Sequence, residues 1–180
     1  MFKSFLHRQV ARMERSYDYD ASYVHEVLDA SSGAFFKFAL FQAISGHNQS
    51  VPADAWFAAR LAATLCEDCG PCAQLVVNMA LKKGVAPGVI AALLRGDLEA
   101  SGKDAEFGFR YGIAVAQNTT DAVRLSGEAE ARYGKRGQTS LAFAVASTRV
   151  YPALKRGLGH GAACTKLTVA EETIVLKKAA

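Results

Sequence analysis

The sequence is poor in the residues that mark most specialised protein classes. Four cysteines in 180 residues are too few and too irregularly placed for a secreted disulfide scaffold. They fit a reducing compartment, the cytoplasm, where a close cysteine pair is more often catalytic than structural. β-Branched runs of alternating polarity are scarce. Only 166–169 and 174–176 read as strand, and both are too short to build a sheet fold. The longest apolar run, 34–44, is about half of the ~20 residues that span a bilayer and carries Lys37, so no membrane role is expected. Residues 1–8 are too charged for the apolar centre of a signal peptide. The net charge of +4 is spread over isolated pairs, Lys82-Lys83, Lys135-Arg136 and Lys155-Arg156. Without a basic stripe and interleaved aromatics, nucleic acid is not an expected partner. There is no second CxxC, no Cys/His block at zinc-finger spacing, no fixed-period repeat and no low-complexity segment, and no cofactor is expected.

What is present is helical. Hydrophobic residues make up 51% against 21% charged, enough to bury a core in one domain. Residues 1–50 read as N-terminal helices that pack on the body or oligomerise, and 51–164 as the core. Phe2, Phe5, Leu6, Val10 and Met13 form one face of a first helix, with Arg8, Arg12 and Arg15 around it. Asp20 is a candidate N-cap for a second helix bearing Val24, Val27 and Leu28, which Ser31-Ser32-Gly33 ends. Phe35, Phe36, Phe38, Leu40, Phe41 and Ile44 then make a helix apolar nearly all round, suited to a core or a subunit interface. His25 and His47 read as surface or capping residues.

Pro52 opens a helix with Phe57, Leu61 and Leu65 inward. Pro87 starts another that Gly96 stops. Asp104 is a candidate cap for a third, in which Gly108 and Gly112 permit close approach. A polar helix ends near Gly134. A long one from about Gln138 meets Pro152, which kinks or interrupts it. A glycine-rich loop, 157–161, follows. The fold class expected is all-α, a single-domain helical bundle over 1–180.

The chemistry concentrates in Cys66-Glu67-Asp68-Cys69-Gly70-Pro71-Cys72. Cys69 and Cys72 have the CxxC spacing of a reversible disulfide. Pro71 suits the first turn of a helix, and Cys72, Leu75, Val76 and Met79 recur at i, i+3, i+4, i+7, with Gly84 as the stop. Both thiols then lie at a helix N-terminus, whose partial positive charge favours thiolate. Such a dithiol serves disulfide exchange or peroxide reduction. Two other readings of the same residues stand beside it: a structural or inert pair, and a metal site of Cys66, Cys69 and Cys72 with Cys164 or His160 as fourth ligand.

The string Glu67-Asp68-Cys69-Gly70-Pro71-Cys72-Ala73-Gln74-Leu75-Val76-Val77-Asn78-Met79-Ala80, followed by Gly84-Val85, resembles the carboxymuconolactone decarboxylase / alkyl hydroperoxidase D-like family. Arg149-Val150-Tyr151-Pro152-Ala153-Leu154-Lys155-Arg156, then Leu158-Gly159-His160-Gly161, resembles the tail of uncharacterised members of it. The resemblance covers roughly residues 50–164. It implies an all-helical fold, a homo-oligomer (trimer or hexamer), a peroxide or protein-disulfide substrate and an external dithiol reductant. In the hydroperoxidase branch it also implies Cys69 and Cys72 as catalytic residues with a proton relay. That branch has glutamate twelve residues before the first cysteine and histidine four after the second. Here these positions are Phe57 and Val76, which cannot move a proton. Glu67, Asp68 and His160, with Asp54, are the candidate substitutes. The function expected is a thiol–disulfide oxidoreductase, with alkyl hydroperoxide reduction weak or absent. The alternatives are a non-enzymatic helical oligomer with a sensor or structural dithiol, and a decarboxylase-like lyase, against which the dithiol argues. Cys72, on the apolar face, suits a small peroxide, and Cys69, less covered by the helix, suits a large partner.

Overall fold

Helix α4 (Ala53–Cys66) is the centre of the molecule, with every residue from Ala55 to Thr64 buried. Its many alanines let neighbouring backbones come close. In the computed structural model, which describes residues 2–163 and 165–176, seven further helices and one hairpin surround it. They are α1 (Phe2–Tyr17), α2 (Ser22–Ala30), α3 (Ser32–Ser45), α5 (Gly70–Lys82), α6 (Pro87–Arg95), α7 (Lys103–Gln117), α8 (Ala122–Gly157), and strands β1 (Lys166–Val169) and β2 (Glu172–Val175). The fold is all-α, with a minimal antiparallel ribbon at its end.

The tightest crossing is α4 against α7. A Cβ placed on Gly108 would sit 2.0 Å from the Ala55 carbonyl oxygen, and one on Gly112 would sit 2.5 Å from that of Ala59. The two glycines, four apart, give α7 a flat stripe that meets alanines four apart on α4. Helix α8 is two helical segments joined at Gly134, whose φ of 69° and ψ of 179° break the helix, a conformation glycine adopts without Cβ strain. Gln138 Nε2 donates to the Ser126 carbonyl at 3.0 Å across this break.

Two apolar clusters result. The larger joins α4 to α8 and takes in Leu167, Val169 and Ile174 of the hairpin. The hairpin is clipped to α5 by one amide: Gln74 Nε2 donates to the Thr168 carbonyl at 2.7 Å, and Thr168 N–H donates to Gln74 Oε1 at 2.8 Å. This satisfies the free edge of β1 as a third strand would. The smaller cluster joins Val10, Tyr19, Tyr23 and Val24 of the N-terminal helices to Leu75, Leu154 and Leu158. Asn78 Nδ2 donates to the Tyr17 carbonyl at 2.7 Å, and Lys82 bonds the Ser16 carbonyl, so the end of α1 is tied to α5.

Several expectations need correction. The N-cap of α2 is Ala21, while Asp20 accepts from Ser22 N–H at 2.9 Å. Ser31 both ends α2 and caps α3, its hydroxyl accepting from Ala34 N–H at 3.1 Å, so Ser32 and Gly33 are helical. Gly102 is the N-cap of α7, and Asp104 instead accepts from the Tyr133 hydroxyl at 2.7 Å. Pro152 lies inside a helix that runs on to Gly157. Of the two readings of α3, the core one fails, since Phe36, Leu40 and Ile44 are exposed in the single chain. His25 is more than a capping residue: its Nδ1 lies 2.7 Å from that of His7, and its Nε2 lies 3.3 Å from Glu14. His7 Nε2 reaches Asp29 at 3.1 Å, so four side chains link α1 to α2. Among the described residues no helix is long and apolar enough to cross a membrane.

Candidate functional site

The chain leaves α4 at Cys66, turns through Asp68 at a positive φ of 48°, and enters α5 with Cys69 as N-cap, Pro71 in the first turn and Cys72 one residue on. Cys69 and Cys72 are joined as a disulfide, with Cα atoms 5.3 Å apart. The arrangement is local in origin. Proline cannot extend the preceding helix but fits the start of the next, and three residues is one turn, which puts both sulfurs on the same end of α5. Cys66 lies outside the bridge as a half-buried free thiol. Burial pushes it up from the ordinary thiol range, and nearby Arg149 and Gln117 offset this only in part. Cys164 lies outside the described residues. Among those residues no group of three His, Cys, Asp or Glu side chains is placed to hold a metal ion.

The disulfide is covered. Cys69 is 4% exposed and Cys72 5%, so Cys69 is no more open than Cys72. The reason is the loop after α8, which folds back over the start of α5: Gly70 N–H donates to the Ala162 carbonyl at 3.1 Å. The two cysteines nevertheless face different spaces. Cys72 lines an apolar cavity of about 270 Å³ under α1–α3, together with Leu75, Val76 and Met79. The whole stripe expected to be one buried face of α5 is thus the wall of this cavity. Cys69 lines a separate hollow of about 220 Å³, with Asp68, Lys155, Arg156 and Ala162.

Each candidate relay residue has a definite place. Glu67 is clamped: Arg149 Nε donates to Oε1 at 2.7 Å and Arg156 Nη2 to Oε2 at 2.6 Å. Burial raises the Glu67 carboxyl, but these guanidinium groups outweigh it and hold the carboxyl below its ordinary range. Asp68 is exposed at the rim of the Cys69 hollow. His160 turns to α2, its Nε2 2.7 Å from Glu26 and its Nδ1 3.4 Å from the Ser22 hydroxyl. Asp54 borders the core beside Phe57 and Val76. Phe57 packs edge-to-face on Trp56 at 4.8 Å, and Phe57 and Val76 are buried, so both contribute packing.

Two residues of this region escaped sequence reasoning. Lys155, within a pair read as scattered surface charge, is buried and lines the Cys69 hollow. Its Nζ stands over the rings of Tyr19 and Tyr23 at 4.9 and 5.0 Å. Burial lowers its pKa, with Asp20 acting in the opposite sense. Arg60, in the middle of α4, is also buried and lines the apolar cavity. A charged residue at an inward position of a buried helix was the one available signal for Arg60. Lys155 had none, because α8 is polar on several faces.

The start of α5 favours thiolate, and Lys155 and Arg156 line the same hollow as Cys69. A cysteine pair of this spacing at a helix start is the equipment that thiol–disulfide exchange requires. No family model, no curated protein and no solved structure matches this chain.

Proposed function

We propose that the chain is a thiol–disulfide oxidoreductase working through Cys69 and Cys72 in a reducing, cytoplasmic setting, as a member of the alkyl hydroperoxidase D-like group. The carrying observation is the bridged pair at the first turn of α5 beside a buried cation, Lys155, in the same hollow. In the reduced protein one thiolate attacks a sulfur of a substrate disulfide. That S–S bond breaks, a mixed disulfide forms, and the first substrate thiolate leaves and takes up a proton. The second cysteine then attacks the mixed disulfide, releases the other substrate thiol and closes the Cys69–Cys72 bridge. Two electrons pass from protein to substrate, and an external dithiol returns them. Lys155 and Arg156 stabilise the thiolate at Cys69. Glu67, held as a carboxylate by two arginines, anchors the loop and is not the acid. Peroxide reduction is the slower activity, because hydrophobic Phe57 and Val76 stand at the relay positions and positioned acid–base groups supply roughly 100- to 10,000-fold.

A second reading, a sensor or structural dithiol in a non-enzymatic oligomer, is favoured by the near-complete burial of both sulfurs. The experiment is steady-state reduction of a small aromatic disulfide and of an alkyl hydroperoxide with dithiothreitol, in wild type, Cys69→Ser and Cys72→Ser. Turnover of the disulfide that either substitution abolishes supports the enzyme. Reversible oxidation without turnover of either substrate supports the sensor.

The proposed partner is a second copy of this chain. Phe36, Leu40 and Ile44 on α3 and Phe143 on α8 are large apolar side chains left exposed. Phe36, Leu40 and Ile44 recur every four residues along one side of α3, the spacing of a helix face that a second copy would cover.

A further inference from the structure

The apolar cavity that Cys72 borders has a charged end, besides Gln9, Gln42, Tyr17, Tyr19 and Tyr23 elsewhere in its lining. Val10, Met13, Val24, Phe35 and Met79 supply apolar wall. Where α3, α4 and α8 meet, the lining changes to Ser45, Arg60, Thr64, Thr148 and Tyr151. Arg60 is 4% exposed and, among the described residues, is the single charged one that lines the cavity. Its Nη1 donates to the Ser45 carbonyl at 2.7 Å and its Nη2 to the Ser45 hydroxyl at 3.0 Å. Its guanidinium stacks 4.6 Å above the Trp56 ring. Among the described residues the buried Nε of Arg60 has no hydrogen-bond partner, and the buried Tyr151 hydroxyl interacts with the Ser45 side chain without a hydrogen bond of ordinary geometry.

A buried cation without a counter-anion is costly, and so is a buried donor without an acceptor. An arginine keeps its charge at neutral pH even when buried. One kind of occupant relieves both costs and fits the walls. We propose that this cavity binds a small apolar anion of the carboxylate class, its head on Arg60 and Tyr151 and its chain along α1, α3 and α5. The volume of about 270 Å³ is near the lower end, roughly 300 Å³, of small-molecule sites, which calls for a compact ligand. The inference involves no redox step. Its failure would leave the dithiol reading standing, and the reverse holds as well.

The test uses the oxidised full chain with octanoate and 1-octanol as probes, by calorimetry and by the fluorescence of Trp56, the one tryptophan of the chain. Octanoate is expected to bind saturably and at least about tenfold more tightly than octanol, the ratio expected of a charge-assisted hydrogen-bond pair. Arg60→Met is expected to remove that preference and leave octanol binding unchanged. Tyr151→Phe, a change of one hydroxyl, is expected to weaken octanoate by a smaller factor. Equal affinities for the two probes, no saturable binding of octanoate at millimolar concentration, or an undiminished preference in Arg60→Met each overturns the proposal. Should Arg60→Met not fold, the wild-type probe ratio and Tyr151→Phe decide it. A ratio near one, or an unaltered octanoate affinity in Tyr151→Phe, counts against the site.

Discussion

Arg156 holds Glu67 at two points, donating to its backbone carbonyl at 2.8 Å and to its carboxylate at 2.6 Å. The end of α8 is thereby fastened to the turn that delivers Cys69. Arg149, two turns earlier on α8, takes the other carboxylate oxygen. The turn between α4 and α5 therefore keeps its shape through contacts supplied by the far end of the chain.

From this clamp follows an acid dependence. The Glu67 carboxyl titrates below its ordinary value of 4.5 in the fold and near that value when unfolded. A depressed carboxyl contributes stability that is fully present above the unfolded value and is lost as pH falls through the folded one. Glu67→Gln is expected to cost about 1.5–3 kcal/mol at neutral pH. Urea unfolding at a series of pH values should show this gap closing below about pH 4. A gap of constant size down to pH 3 would contradict the assignment.

The Cys66 thiol should be sluggish. Burial raises its pKa above the ordinary 9.0, so little thiolate exists near neutrality and alkylation requires thiolate. In oxidised Cys164→Ser, Cys66 is the one free thiol, since Cys69 and Cys72 are bridged. The rate of reaction with iodoacetamide against pH is expected to have its midpoint above that of a small thiol. A midpoint below pH 8 would count against the buried environment.

Gly108→Ala should be severe and Gly127→Ala mild. The first forces a Cβ to within 2.0 Å of the Ala55 carbonyl oxygen, whereas the second meets nothing within 4 Å. Overpacking costs about 1–3 kcal/mol and at a backbone contact more, so a loss of roughly 3 kcal/mol or greater is expected for Gly108→Ala. Alanine in place of a helical glycine on an open face adds about 0.5–1 kcal/mol. Denaturant midpoints measure both, and changes of the same sign would sink the account of the α4–α7 crossing.

The α3 patch predicts self-association. Leu40 is 68% exposed in the single chain. Light scattering of wild type at micromolar concentration is expected to give an oligomer, and Leu40→Glu a smaller species. A wild-type monomer would refute the second copy as partner.

The parts legible in the sequence are those governed by contacts within about one helical turn. Pro52, Pro87 and the glycines at 84 and 96 bound helices where expected, because φ preferences act on the residue that carries them. The placement of Cys69 and Cys72 at the start of α5 followed for the same reason, as did β1 at 166–169. Gly108 and Gly112 were readable as a close-approach stripe because their spacing is itself helical. Cap assignments at Asp20 and Asp104 slipped by one or two residues, since several residues can serve one helix end.

The tertiary structure alone decided what faces the two sulfurs. The Glu67 clamp joins residues 82 and 89 positions apart, and the loop over Cys69 is closed by Ala162. Lys155 looks like an ordinary basic residue in the sequence and Arg60 stands out only by its inward position on α4, and the packing of the surrounding helices is what takes both out of water. Local propensity chooses where a helix begins. Which of its side chains lose their solvent depends on elements that meet it from far along the chain, and the chemistry of a buried cation or a covered disulfide depends on that loss.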